Sequence, residues 1–219
     1  MTLTQTMPPA TAPRAATPPP WRQIADKPGG GFLKCPTDWL LLPWGLYRAG
    51  RLDFFGLRTW CGLLELPERR GDRPPDQDVH YSIEELAHLL DVSRRAPVQT
   101  AVRSLEALGL VAWSMAAIAY LPTPAAVQPY RTLPGYQALQ AQLHPWRTWV
   151  PVPRRLVRWL AREGNPGLWA TAAGVLLRCL WSKQRQCVSG GRVAAAWIAE
   201  GFGLAKRTVQ RRLDSLQEC

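Results

Sequence analysis

Two stretches of this chain are versions of one pattern, and that duplication narrows the fold more than any other feature. Leu86–Leu108 reads LAHLLDVSRRAPVQTAVRSLEAL, and Ile198–Glu218 reads IAEGFGLAKRTVQRRLDSLQE. Ala87 matches Ala199, Val92 matches Leu204, Arg94-Arg95 matches Lys206-Arg207, Val98-Gln99 matches Val209-Gln210, and Leu105 matches Leu216. The first copy holds one extra residue, with Ala96-Pro97 standing against Thr208 alone. The likeness extends upstream, where FLKCPTDWLLLPW and WVPVPRRLVRWL each place a proline before an apolar, Trp-containing stretch. GLRTWCGLLEL and GLWATAAGVLLRCL then supply a long apolar helix at nearly the same distance. Self-similarity of this kind means one supersecondary unit present twice.

Local chemistry fixes what that unit is. Ser82 with Glu85 three residues later forms a capping box, each side chain satisfying the other's orphan backbone donor. Leu86, Leu89 and Leu90 make the short helix that follows amphipathic. It stops at Asp91-Val92-Ser93, where Ser93 is placed to cap a second helix. That helix buries Val98, Val102 and Leu105 and ends at Gly109, suited to a left-handed C-terminal residue. Pro97 falls in its first turn, where a missing N–H costs little. LVAWSMAAIAYL then reads as a strand pair, although no Asn-Gly or Asp-Gly marks its turn. Two short helices, a tight turn and a hairpin make the helix-turn-helix plus wing order. In the second copy Val209, Leu213 and Leu216 follow an i, i+4, i+7 spacing, and Arg207, Gln210, Arg211 and Asp214 project opposite.

The expected fold is therefore mainly α with short β-wings, in two winged-helix-like (helix-turn-helix) units. Residues 1–31, rich in Pro and Gly, read as a disordered leader. Residues 32–121 form the first unit. Residues 122–146, holding Pro122, Pro124, Pro129, Pro134 and Pro145, read as a Pro-rich linker, with room for a short helix around Tyr136–Gln142. Residues 147–219 form the second, basic unit, without a clear wing because the sequence given stops after its last helix.

Charge separates the two copies. The net charge is +11, and residues 145–219 carry 13 Lys/Arg against 4 Asp/Glu, whereas residues 1–144 carry 14 against 12. A basic excess confined to one third of a chain concentrates polyanions there. No run of eighteen apolar residues and no secretory signal point to a membrane or export. The expected place is the bacterial cytoplasm, in association with the nucleoid.

A Pro-bearing opening strand, a buried helix, a Ser-led short helix and then SRR…VQ or KRTVQRRL resembles the winged-helix units of bacterial and plasmid replication initiators. The same helix pattern is shared by many bacterial transcription regulators. The resemblance implies that the second helix of each pair enters the DNA major groove, about Arg94–Arg103 in the first copy and Lys206–Asp214 in the second. It departs at Ala96-Pro97, which breaks the usual continuity of the first reading helix, and in the missing second wing.

In the second copy the candidate DNA-binding residues are Lys206, Arg207, Thr208, Gln210 and Arg211. Arg207 and Arg211 are suited to guanine O6 and N7 or to a phosphate, and Gln210 to adenine N6 and N7. Lys206, placed nearer the core side, suits the DNA backbone, and Thr208 suits a cap or a phosphate. Arg212, Arg192, Arg178 and Arg185 extend a phosphate track. The first copy offers Arg94, Arg95, Gln99, Thr100 and Arg103, but Asp76, Asp78, Glu84, Glu85 and Asp91 surround it. It reads as a weaker DNA reader or as an interaction module.

Other chemistries lack their residues. Five cysteines and three histidines are scattered without metal spacing, which leaves free thiols in a reducing compartment and structural roles for His80 and His88. Trp39, Trp60, Trp169, Trp181 and Trp197 fall in apolar helical stretches and are expected to pack in the core. Gly190–Arg192 is too short to cradle a phosphate. No Ser/His/Asp or paired-carboxylate arrangement is present, so the expectation is a non-enzyme with no cofactor and no metal. Its partners would be double-stranded DNA, with a second copy of the chain or other replication or regulatory proteins. The alternatives are a transcriptional regulator and a non-enzymatic interaction subunit that grips nucleic acid nonspecifically.

Overall fold

The computed structural model describes residues 31–69, 82–114, 117–120, 128–143, 148–183, 186–189 and 192–217. The leader up to Gly30 therefore lies outside the described residues. The chain is mainly helical, with strands that come in antiparallel pairs.

The first pair joins the two halves. In β1 (Phe32–Pro36) exposed Phe32 and Lys34 alternate with buried Leu33 and Cys35, the period of a strand with one face inward. β4 (Trp149–Pro153) lies antiparallel to it, with Leu33 opposite Val152 and Cys35 opposite Val150. Both strands end in proline, which cannot continue a ladder, and each runs into a helix. The first of these is α1 (Asp38–Arg48), and the second is α6 (Arg154–Glu163).

Each half then holds three helices in the same order. In the first these are α2 (Phe54–Arg69), α3 (Ile83–Leu89) and α4 (Arg95–Ala107); in the second, α7 (Pro166–Cys179), α8 (Ala195–Phe202) and α9 (Lys206–Gln217). Within each trio all three helices pack against one another. The turn geometry repeats as well. Asp91 and Gly203 both adopt left-handed φ, 56° and 63°. Behind them Val92 N–H bonds Ala87 O at 3.0 Å and Leu204 N–H bonds Ala199 O at 2.8 Å. These are the residue pairs matched in sequence, and the bonds close the short helix of each copy in the same way.

The local signals act as expected at most ends. Ser82 Oγ accepts from Glu85 N–H at 3.1 Å, and Glu85 Oε2 accepts from Ser82 N–H at 2.9 Å, closing the capping box. Gly109 has φ 69°, with Leu110 N–H on Leu105 O. Strands β2 (Val111–Ser114) and β3 (Ala117–Tyr120) pair antiparallel after α4. Ser93 does not cap α4: the capping position is Arg94, with no side-chain bond. A helix starting at Arg95 puts Pro97 third, so the N–H that a capping side chain most often receives is absent.

Two features were not foreseen. Strands β5 (Leu180–Lys183) and β6 (Gln186–Ser189) form a hairpin between α7 and α8, so the second half has a strand pair before its helix pair. Also, residues 128–143, inside the stretch read as linker, are folded into the body. A 3-10 turn (Gln128–Tyr130) is followed by α5 (Pro134–Ala141), where Tyr136 and Leu139 are fully buried against α1 and α8. Tyr136 donates to Asp38 at 2.5 Å, and Tyr130 donates to Leu108 O at 2.6 Å.

One hydrophobic core runs through both halves. Trp44 of α1 stacks on Trp169 of α7, rings 5.8 Å apart and 6° from parallel. Trp169 donates to Cys61 Sγ at 3.3 Å, and Trp60 is fully buried. Trp39 and Trp197 are partly buried against the core, while the Trp181 side chain lies outside those described. The fully buried Glu65 of α2 takes Arg154 at 3.1 Å and Arg158 at 3.5 Å, both from α6.

Candidate nucleic-acid interface

α9 is held by its apolar stripe and leaves its basic side outside. Val209 is fully buried, and Leu213 and Leu216 are partly buried against the core. Lys206, Arg207, Thr208, Gln210 and Arg211 are all exposed. At 100° per residue Arg207, Gln210, Arg211 and Asp214 span one side of the helix, and Val209 and Leu216 the other. Lys206 was placed nearer the core by its sequence position, but its side chain is exposed.

The side chains on this face differ in their commitments. Among the described residues Lys206, Arg207 and Arg211 make no side-chain hydrogen bond or ion pair. Gln210 donates to Asp214 Oδ1 at 3.2 Å, a bond it must exchange before reading a base edge. Thr208 and Arg212 lie toward the start of α7, near Gly167. A methyl added at Gly167 would stand 3.4 Å from Thr208 Cγ2. Arg178 lies over the Trp197 ring and Arg192 is exposed, whereas Arg185 lies outside the described residues.

The turn before α9 is clamped from the other half. Arg48, the last residue of α1, donates through Nη1 to Phe202 O at 3.1 Å and to Gly203 O at 2.8 Å. The matching turn in the first copy is held in the same manner. Arg162 of α6 donates to Leu89 O at 3.1 Å, and Arg58 donates to Leu90 O at 2.8 Å and Ala161 O at 2.7 Å. Burial lowers the Arg58 pKa from its usual value, opposed by the nearby carboxylates of Glu163 and Asp91.

α4 presents the corresponding face with most of its polar groups engaged. Arg95 pairs with Glu84 at 2.7 Å. Thr100 Oγ1 donates back to Ala96 O at 3.0 Å, and Arg103 sits over the Trp113 ring. Arg94 is exposed and Gln99 is partly buried. Of the surrounding acids, Asp76 and Asp78 lie outside the described residues, as does His80. The structure thus brings the two candidate sets onto matching helices: in the first Arg95 and Arg103 are engaged and Arg94 is exposed, and in the second Arg207 and Arg211 make no side-chain bond among the described residues.

Sequence reasoning passed over the arginines of α6. Arg155, Arg158 and Arg162 line a common cavity with Trp159 and Glu163. Their i, i+3, i+7 spacing was the available signal. Among the described residues no helix is long and apolar enough to cross a membrane. Among them, too, no group of three or more His, Cys, Asp or Glu side chains is gathered to hold a metal ion. Comparison of the chain with protein-family models, curated proteins and solved structures finds no match.

Proposed function

We propose that the protein binds double-stranded DNA through tandem helix-turn-helix units of winged-helix type, with α9 as the helix that enters the major groove. The single observation carrying this reading is the α9 face: Lys206, Arg207 and Arg211 exposed and without a side-chain bond or ion pair among the described residues, on a helix anchored by fully buried Val209. Guanidinium groups placed this way suit guanine edges and phosphates alike, and the basic excess of residues 145–219 supplies the long-range attraction. α4, with Arg95 and Arg103 held locally, takes the weaker part. The narrower reading is initiation of replication on a plasmid or mobile element, supported by the duplicated unit with its proline-bearing opening strand. The alternative is transcription regulation.

Selection of binding sites from a random duplex pool tests the proposal. Enrichment of a defined sequence is expected, and recovery of none would overturn sequence-specific binding. Arg211→Ala should then cost about 1–3 kcal/mol at one base position of that site. An equal loss on every duplex would make Arg211 a phosphate contact instead. Where the site lies in the genome distinguishes the roles: iterated copies at an origin for an initiator, a single promoter element for a regulator.

A further inference from the structure

On the reverse of α9 from Arg207 lies an open apolar groove that the proposed DNA face does not use. Its volume is about 610 Å³, and Pro153, Leu156, Trp159, Val175 and Leu216 line it, with Arg155 among them. Leu156, Trp159, Val175 and Leu216 pack against the core yet stay only partly buried. Arg155 and Trp159 also wall a second cavity of about 400 Å³, where Arg158, Arg162 and Glu163 join them. The two cavities are therefore neighbours through shared side chains: one apolar, the other lined by three arginines and one carboxylate. Phe32, half exposed, pairs across the sheet with Pro153 and stands beside the groove. Contiguous apolar surface of this kind next to convergent charge is what a binding groove looks like.

We propose that this double cavity docks an acidic amphipathic segment of a partner protein. Apolar side chains of that segment fill the groove, and its carboxylates meet Arg155 and Arg162. Arg155 is exposed, and Arg162 commits its Nε to Leu89 O but keeps its terminal nitrogens. Charge complementarity picks this occupant over the others. The leader, residues 1–31, carries Arg14, Arg22 and Lys27 against Asp26 alone, the wrong sign for the arginine end. A second copy brings a net charge of +11, and the acidic helix α3 already spends Ile83, Leu86 and Leu89 on its own core. DNA phosphates suit the arginines but leave the apolar groove unfilled. Leu216 follows Arg207 by nine residues, half a turn around the helix, so partner and DNA approach from opposite sides.

Phage-displayed random 16-residue peptides selected on the full chain provide the test. Enriched peptides should carry apolar residues at helical spacing and net negative charge. A synthetic peptide from that pool, followed by fluorescence anisotropy, should bind Val175→Asp at least tenfold more weakly. Arg155→Glu should weaken it at least threefold, whereas Arg207→Ala should leave it unchanged. Circular dichroism melts establish that each variant folds, and Leu156→Ser substitutes for Val175→Asp if the latter does not. The proposal is overturned if no acidic amphipathic peptide is enriched or if the groove variants bind the peptide as tightly as the parent. Groove-dependent binding of phosphatidylglycerol vesicles in place of any peptide would overturn it too.

Discussion

Replacing Gly203 with alanine probes the clamp on the turn before α9, and Gly109→Ala supplies its control. Both glycines are left-handed, at φ 63° and 69°. Alanine in that region costs roughly 1–2 kcal/mol from backbone sterics, partly offset by about 0.4–1 kcal/mol of unfolded-chain entropy. At Gly109 nothing lies within 4 Å of an added methyl, so this strain is the whole effect. At Gly203 the methyl would collide with the Arg48 guanidinium. The long arginine swings clear at modest steric cost but gives up its bonds to Phe202 O and Gly203 O. Because Arg48 is exposed, water discounts those bonds to about 1 kcal/mol together, below the usual range for a charged donor. Gly203→Ala should thus exceed Gly109→Ala by about 1 kcal/mol in urea unfolding, with unchanged m-value. In the Arg48→Ala background the excess should vanish, since the coupled partner is gone. If Gly203→Ala costs the same in both backgrounds, the guanidinium does not hold this turn.

Three further outcomes follow from the core and the α9 face. Glu65→Gln leaves Arg154 and Arg158 facing a buried neutral amide and should destabilise by about 3–5 kcal/mol, with Glu65→Met at least as costly because it removes the remaining acceptor, by equilibrium unfolding. Burial pushes the Cys61 thiol up to about 12 and the Cys35 thiol higher still, so both stay protonated at pH 8. Iodoacetamide should modify them only as fast as the fold opens, and modify the less buried Cys179 sooner, by peptide mass mapping. Raising the salt from 50 to 200 mM should weaken DNA binding for the parent more steeply than for Arg207→Ala, the slope falling by about one per lost phosphate contact.

The repeat itself was legible because it rests on local rules: capping, left-handed turns, and apolar residues at helical spacing. Ala87–Val92 and Ala199–Leu204 matched in sequence, and the same residues carry the same closing bonds. What the sequence did not convey is non-local. Five-residue strands such as FLKCP and WVPVP show a strand period without naming a partner, so the pairing of β1 with β4 was invisible. Proline-rich composition suggested a linker, yet Tyr130, Tyr136 and Leu139 of residues 128–143 are buried in the core, and Arg131 and Tyr136 are tied to Asp38. The β5–β6 hairpin carries no favoured turn dipeptide. At the site, periodicity found the exposed arginines of α9. It did not reveal that Arg95 and Arg103 are held by Glu84 and Trp113, because those partners come from other elements.

The pairing of β1 with β4 also has a consequence for how the chain is made. Leu33 waits for Val152, more than a hundred positions later, and α2 waits equally long for α6. At a synthesis rate of about 5–20 residues per second, the first half spends several seconds with that face of α2 uncovered. Its helices are local and form early, but the sheet that closes the core forms only once the second half has begun to leave the ribosome. The nascent first half is therefore a natural client for chaperones, and a premature stop before residue 149 would release a chain whose core never closes.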